Sequence, residues 1–148
     1  MIARVTEADL PELLPLMRSY CDFYETEPSD DELLALSRAL LRSPELEGLQ
    51  LIARDGDGAP TGFATIYWTW STINARRIGV MNDLFVTERA RGTGVAEELI
   101  ASCADECRTR GIKSLGWQTA KDNHRAQAVY ERVGGRREEW VDYSLPVG

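Results

Sequence analysis

Apolar residues recur at helical spacing in some stretches of the chain and alternate or run together in others. Leu10, Leu13, Leu14, Met17, Tyr20, Cys21 and Tyr24 fall three or four apart, which predicts one buried face of a helix. Thr6 precedes them with Asp9 three residues on, in the manner of a capping box. Pro28-Ser29-Asp30-Asp31 breaks that helix and opens a second, with Leu33, Leu34, Leu36, Leu40 and Leu41 on its face and a stop before Pro44. A third face is formed by Val95, Leu99, Ile100, Cys103 and Cys107, ending at Gly111. A fourth helix is capped by Asn123 and runs through Val133 to the stop at Gly134-Gly135. Strands are predicted over 1–5, 49–54, 62–72, 77–86, 112–119 and 139–145. The one over 62–72 is dense in β-branched and aromatic residues. Asp55-Gly56-Asp57-Gly58 reads as a hairpin turn.

This order is helical first, a strand meander in the middle, and strand-helix-strand-helix-strand at the end. It predicts an α+β fold with a mixed sheet. A length of 148 residues predicts one domain, 1–148, with a core that needs no staple. The net charge of -7 excludes general binding to a phosphate backbone, so no nucleic-acid partner is expected. Cys21, Cys103 and Cys107 form no even set and there is a single His; buried thiols and no metal are expected. Met1 to Val5 holds no long apolar run, and no stretch approaches the roughly 18 apolar residues of a membrane span. A soluble, cytoplasmic protein without a membrane partner is therefore expected.

The most informative stretch runs from Asn82-Asp83-Leu84-Phe85-Val86 through Thr87-Glu88-Arg89-Ala90-Arg91 to Gly92-Thr93-Gly94-Val95-Ala96. A strand enters a basic, glycine-rich turn that opens a helix. Glycine lets backbone approach a ligand closely, and a helix start offers unpaired N–H groups and a positive dipole end. Together these suit phosphate or pyrophosphate, with Arg89 and Arg91 adding charge and Thr93 a hydroxyl. No Gly-Lys-Ser/Thr follows, so it is not a P-loop, and Glu97 stands where a dinucleotide fingerprint needs its third glycine. On the glycines alone, a tight strand-to-helix turn with solvated arginines remains open.

Arg89-x-x-Gly92-x-Gly94 after an apolar strand resembles the acyl-CoA pyrophosphate loop of the GNAT N-acyltransferase superfamily. The segment Asn123-His124-Arg125-Ala126-Gln127-Ala128-Val129-Tyr130-Glu131-Arg132-Val133-Gly134-Gly135 is similar to that superfamily's second motif, with Gly135 where Phe is usual. The resemblance covers residues 50–145. It implies the GNAT fold: a central, mostly antiparallel mixed sheet with a splayed strand pair and helices on both faces. It also implies acetyl-CoA (coenzyme A) as co-substrate, and a homodimer. The splayed strands would be 81–86 and 114–119. The backbone of Leu84, Phe85 and Val86 would then hold the pantetheine arm, the N–H groups from Arg91 to Ala96 the pyrophosphate, and Asn123 the cofactor arm besides capping its helix.

The implied reaction is direct transfer of acetyl from the thioester to an amine, with positioning as the main gain. Tyr130 matches the family's acid at the leaving sulfur; by itself it reads as a helix aromatic facing the sheet. Asp83 is the candidate base for an acceptor that arrives protonated. Its segment resembles the Glu-Asp-Phe/Leu-Phe-Val run of polyamine acetyltransferases, with Asn82 replacing Glu; an ion pair with Arg76 or Arg77 is the alternative for Asp83. His124 reads as an exposed first-turn residue.

On the acceptor side, Tyr24, Glu25, Trp68 and Trp70 are the substrate candidates, since aromatics and carboxylates suit a cationic amine. Strand alternation puts Tyr67 opposite Trp68 and Trp70, so they do not all face one pocket, and core packing accounts for most such aromatics. Three functions stay open: an N-acetyltransferase for a small cationic or amino-acid-like amine, a peptide or protein N-acetyltransferase as in the similar Hpa-type group, and a noncatalytic acyl-CoA-binding module. Residues 1–60 hold 13 acids and 5 bases, whereas 61–148 hold 11 acids and 12 bases. The acidity therefore belongs to the half that would face the acceptor, either as a solvated loop or as a field that attracts a cation.

Overall fold

The computed structural model describes Met1–Gly148 as two compact units, Met1–Gln118 and Thr119–Gly148. The first contains the sheet. Its strands are β1 (Ile2–Arg4), β2 (Gly48–Arg54), β3 (Pro60–Ser71), β4 (Arg76–Val86) and β5 (Leu115–Gly116), in spatial order β1-β2-β3-β4-β5. The pairs β1–β2, β2–β3 and β3–β4 are antiparallel and β4–β5 is parallel. The sheet is thus mixed and mostly antiparallel.

Helix α1 (Leu10–Phe23) is entered through a short 3-10 turn, Glu7–Asp9. The Asp9 carboxylate accepts the Thr6 backbone N–H at 2.8 Å, so the predicted capping residues open this turn and α1 follows it. Helix α2 (Asp30–Arg42) begins with a full capping box: Ser29 Oγ accepts the Glu32 N–H at 3.2 Å and Glu32 Oε2 accepts the Ser29 N–H at 2.7 Å. Both helices bury their leucine stripes against one sheet face, where Leu10, Leu13, Leu16, Met17 and Leu33 meet Ile52 and Phe63. Helix α3 (Val95–Thr109) covers the other face with Leu99, Ile100, Cys103 and Cys107. It comes close enough that a Cβ on Gly79 would stand 2.7 Å from Cys107 Sγ. Burial pushes the Cys103 thiol up to about 12 and raises that of Cys107, so both are packed, inert thiols.

The second unit is built around α4 (His124–Arg132). Asn123 Oδ1 accepts the Ala126 N–H at 3.2 Å, the cap that the sequence predicts. Two predicted strands differ. The one over 112–119 shrinks to Leu115–Gly116, because the Ile112 N–H is spent on Cys107 O in closing α3. Residues 139–145 form no strand: their alternation suits a sheet, but a strand exists only where a neighbour completes its ladder. No helix is long and apolar enough to cross a membrane.

Candidate active site

The sheet opens at β4. Its pairing with β5 consists of Gly79↔Leu115 and Val80↔Gly116, while β4 continues to Val86. From residue 81 onward, the β5-facing edge of β4 has no strand against it. On its other edge β4 carries a bulge: Asp83 pairs with Thr65 and Met81 with Ile66, leaving Asn82 as the extra residue. Such a bulge re-aims the side chains that follow it. Here it sets Asp83 on the face covered by α1, together with Thr65, Tyr67 and Phe85.

Asp83 is half-buried there, with the Thr65, Tyr20 and Asn82 side chains close enough to its carboxylate to favour the ionised form. The Asn82 amide donates at 3.0 Å. Thr65 is fully buried, pairs with Asp83 across the two strands, and accepts from Gln50 Nε2 at 3.2 Å through its hydroxyl. Gln50 also reaches Met17 Sδ at 3.6 Å, as does the buried Ser37 hydroxyl. Burial raises the pKa of Asp83, and the three donors oppose that rise. The ion pair considered for Asp83 is not formed. Arg76 turns to the carbonyl of Asn74, and Arg77 to the carbonyls of Leu46 and Trp68 and the ring of Trp70.

Tyr20 closes this pocket from α1. Its ring packs edge-on against Tyr24 at 5.0 Å and Phe63 at 5.7 Å. Burial first, and then the charge of Asp83, drives its phenol pKa well up. Tyr67 is raised for the same two reasons. The opening is therefore lined by a carboxylate and phenols that stay protonated.

After Val86, a 3-10 turn (Glu88–Ala90) leads to Gly92 and Gly94, with φ of +79° and +91°. A Cβ on either would meet nothing within 4 Å; glycine is there for its left-handed backbone. Gly94 is the N-cap of α3 and no side chain caps that helix start, so the first-turn N–H groups of α3 are presented as an anion site. Arg91 Nε donates to Val86 O at 3.3 Å, and Arg89 pairs with Asp55 of the β2–β3 turn at 3.2 Å. The Thr93 hydroxyl donates to the carbonyl of Ala90, so its proton is engaged inside the turn. An unpaired strand edge leading into an uncapped helix start fits a long ligand with a hydrogen-bonding arm and a phosphate end. No group of three or more His, Cys, Asp or Glu gathers as metal ligands.

The substrate candidates divide between the two sheet faces. Tyr24 is 54% exposed at the end of α1, beside Tyr20, and Glu25 follows it with φ of +57°. Trp68 and Trp70 lie on the α3 face, away from Asp83. Trp68 is 5% exposed, donates Nε1–H to Pro44 O at 2.8 Å and lies under the Arg110 guanidinium; it is a core residue and not part of the Asp83 pocket. Trp70 is exposed with Arg77 over its ring. Thr65 and Gln50 were absent from the sequence-derived site. The available signal was a polar residue at an inward position of an otherwise apolar strand. In the second unit, His124 is exposed at the first position of α4, and Tyr130, seven residues after Asn123, falls on the same helix side as that cap.

The model of the acetyltransferase (GNAT) family matches residues 11–135. The uncharacterized N-acetyltransferase YhfO of Bacillus subtilis (strain 168) is 31% identical over 147 residues, 99% of this chain and 97% of that protein. The D-amino-acid N-acetyltransferase HPA3 of Saccharomyces cerevisiae is 37% identical over 76 residues, 51% of this chain and 47% of that one. A crystal structure described as a probable acetyltransferase superposes with a TM-score of 0.88 at 27% identity, covering 100% of this chain and 98% of the other.

Proposed function

Since this chain belongs to the acetyltransferase (GNAT) family and is an acyl-CoA-dependent N-acetyltransferase, we propose that its acceptor is a small cationic or amino-acid-like primary amine and that Asp83 is its general base. The single observation that carries this reading is the half-buried Asp83 carboxylate, free of any lysine or arginine partner and walled by Tyr20 and Tyr67. A carboxylate without a resident cation, set among aromatic faces, attracts an ammonium group. Its raised pKa makes it a better proton acceptor near neutral pH than an ordinary carboxylate. The similarity over half of this chain to a D-amino-acid N-acetyltransferase supports an amino-acid-like acceptor.

The thioester of acetyl-CoA supplies the acyl group. Around it, the unpaired edge of Leu84, Phe85 and Val86 hydrogen-bonds an extended arm as a neighbouring strand would. The turn from Arg91 to Ala96 binds phosphate through backbone N–H groups. Asp83 takes the proton that an alkyl ammonium must lose before it attacks. Tyr130 is assigned the protonation of the departing thiolate, and Asn123 a contact to the cofactor arm, from their place in the second motif. The family resemblance leads us to include a cytoplasmic homodimer in this reading.

A thiol-release assay with acetyl-CoA against diamines, D- and L-amino acids and lysine peptides tests the proposal. Free amines should turn over better than peptides. Asp83→Asn should lower kcat/KM by about 10²-fold or more, in the range of a lost general base, and Tyr130→Phe should lower kcat. Full activity of Asp83→Asn from pH 7 to 9 removes the base assignment, and a preference for lysine peptides removes the small acceptor.

A further inference from the structure

The two arginines of the turn between β4 and α3 are held differently. Arg91 curls back on its own segment, Nε donating to Val86 O at 3.3 Å, and no carboxylate pairs with it. Arg89 leaves the turn: its Nη1 donates to Asp55 Oδ2 at 3.2 Å, across 34 positions of sequence, in the hairpin that joins β2 to β3. Asp55 is itself fixed. Its Oδ1 accepts the Asp57 N–H at 3.0 Å and the Ala59 N–H at 2.9 Å. Its backbone accepts the Gly58 N–H at 3.0 Å and donates to Ala59 O at 2.9 Å. The Ala59 and Asp57 N–H groups, and Arg89 after them, lower its pKa, so the carboxylate is charged at neutral pH. One oxygen closes the hairpin and the other is left to face Arg89.

The turn needs support from outside. Gly92 and Gly94 have left-handed backbone and nothing at the Cβ position, and the Thr93 hydroxyl and Arg91 Nε bond within residues 86–93. Glycine backbone has the most freedom to lose when a ligand orders it, and binding is tighter where that ordering is already done. The Thr87 N–H donates to Thr61 O at 2.8 Å and holds the start of the turn to β3. The Arg89–Asp55 pair holds it next, just ahead of Gly92.

We propose that Asp55 is a positioning residue for acetyl-CoA binding: by holding Arg89 it fixes the turn whose N–H groups receive the pyrophosphate, so that Arg89 is a strut and Arg91 is the arginine that meets the phosphate charge. The inference rests on the reading of residues 91–96 as the pyrophosphate turn. Asp55 touches no part of the cofactor. A carboxylate close to a phosphate site would by itself repel the ligand, and the two roles therefore predict opposite signs when its charge is removed.

Asp55→Asn keeps the oxygen that closes the hairpin and sets an amide against the guanidinium. With the best amine of the thiol-release panel held saturating, KM for acetyl-CoA should rise about two- to fivefold, the range for an exposed ion pair, with kcat unchanged. Arg89→Ala should give the same rise, and the two changes together no further rise. Arg89→Lys, which can still pair, should give a smaller one. Arg91→Ala should raise KM by the same factor in the parent and in Asp55→Asn. S-Acetylpantetheine carries the thioester and the arm without the pyrophosphate. Its kcat/KM should be equal in the parent, Asp55→Asn and Arg89→Ala, which a general loss of structure would not give. The Arg89 side chain is 60% exposed, so Arg89→Ala keeps the test open if Asp55→Asn disturbs the hairpin.

A lower KM for acetyl-CoA in Asp55→Asn overturns the inference, since Arg89 is then a phosphate ligand that Asp55 restrains. An unchanged KM in both variants, or an equal loss with S-acetylpantetheine, overturns it too. Gly94→Ala separates these failures from failure of the pyrophosphate reading. A raised KM there beside a normal one in Asp55→Asn sinks the strut alone. A normal KM in Gly94→Ala, with no competition between inorganic pyrophosphate and acetyl-CoA, sinks the site and the strut with it.

Discussion

Asp83 links catalysis to stability with a definite sign. Burial raises its pKa, and the polar side chains of Thr65, Tyr20 and Asn82 nearby offset only part of that. The folded protein thus binds the proton more tightly than the unfolded chain does. Asp83 contributes stability below the ordinary carboxylate pKa and loses that contribution as pH rises through its elevated value. Asn mimics the protonated form at every pH. Asp83→Asn should therefore gain Tm relative to the parent between pH 4 and pH 8 while losing turnover, measured by thermal melts across that window. A constant difference in Tm would mean that the carboxylate is not strained by burial. The position is one where function opposes stability. Its strangeness was legible in the sequence, as an acid inside an apolar strand. Its partners were not: Tyr20 reaches it across the whole meander, and Thr65 looks like an ordinary β-branched strand residue until the register is known.

Among elements, the turn from β4 into α3 shows what local sequence can dictate. Gly92 and Gly94 both adopt left-handed backbone with open space where a Cβ would go. Gly94→Ala meets no steric neighbour and should cost only backbone strain, about 1–2 kcal/mol. Tm should fall by several degrees, about 2–4 °C for each kcal/mol in a chain of this size. If the turn holds the pyrophosphate, KM for acetyl-CoA rises with kcat little changed; a normal KM would place the phosphates elsewhere. The helices were legible for a similar reason. Their leucine stripes and the Ser29–Glu32 box are short-range patterns that need no knowledge of the partner. Strand extent depends on what lies alongside, which is why 112–119 shrank to two residues and 139–145 formed none. The bulge at Asn82 escaped detection because it is a property of two strands in register. The alternation rule did separate Tyr67 from Trp68 and Trp70, which share the opposite face of β3.

For the whole molecule, charge is divided unevenly along the chain. The first 60 residues carry 13 acids and 5 bases, and they include α1 and α2, which cover the Asp83 face. Between Arg18 and Arg38 there is no Lys or Arg, while Asp22, Glu25, Glu27, Asp30, Asp31 and Glu32 fall in that interval. One of these, Asp30, is neutralised by Arg18 at 2.7 Å. The remainder lend the α1 end a negative field that concentrates cations. Added salt, which shortens the Debye length from about 10 Å at 0.1 M to about 3 Å at 1 M, should raise KM for a cationic acceptor severalfold and leave kcat nearly unchanged. Neutralising Glu25 and Glu27 together should reproduce that rise at low salt. A salt-independent KM would reduce the acidic stretch to a solvated surface.

The early end of the β4–β5 pairing also bears on edge-to-edge aggregation. An unpaired strand edge is a template for association and, at the rim of a sheet, invites a second sheet to join it. Here the bare edge of β4 continues a strand still bonded to β5 at Gly79 and Val80, so it begins at a step within the sheet and not on its outermost strand. A strand belonging to another sheet brings neighbours and side chains on both faces, and β5 obstructs their approach from one end. A single extended arm with nothing attached at its flanks slides in. The same backbone groups that would be an aggregation hazard on an outer strand are thus more open to a slender ligand than to a second sheet.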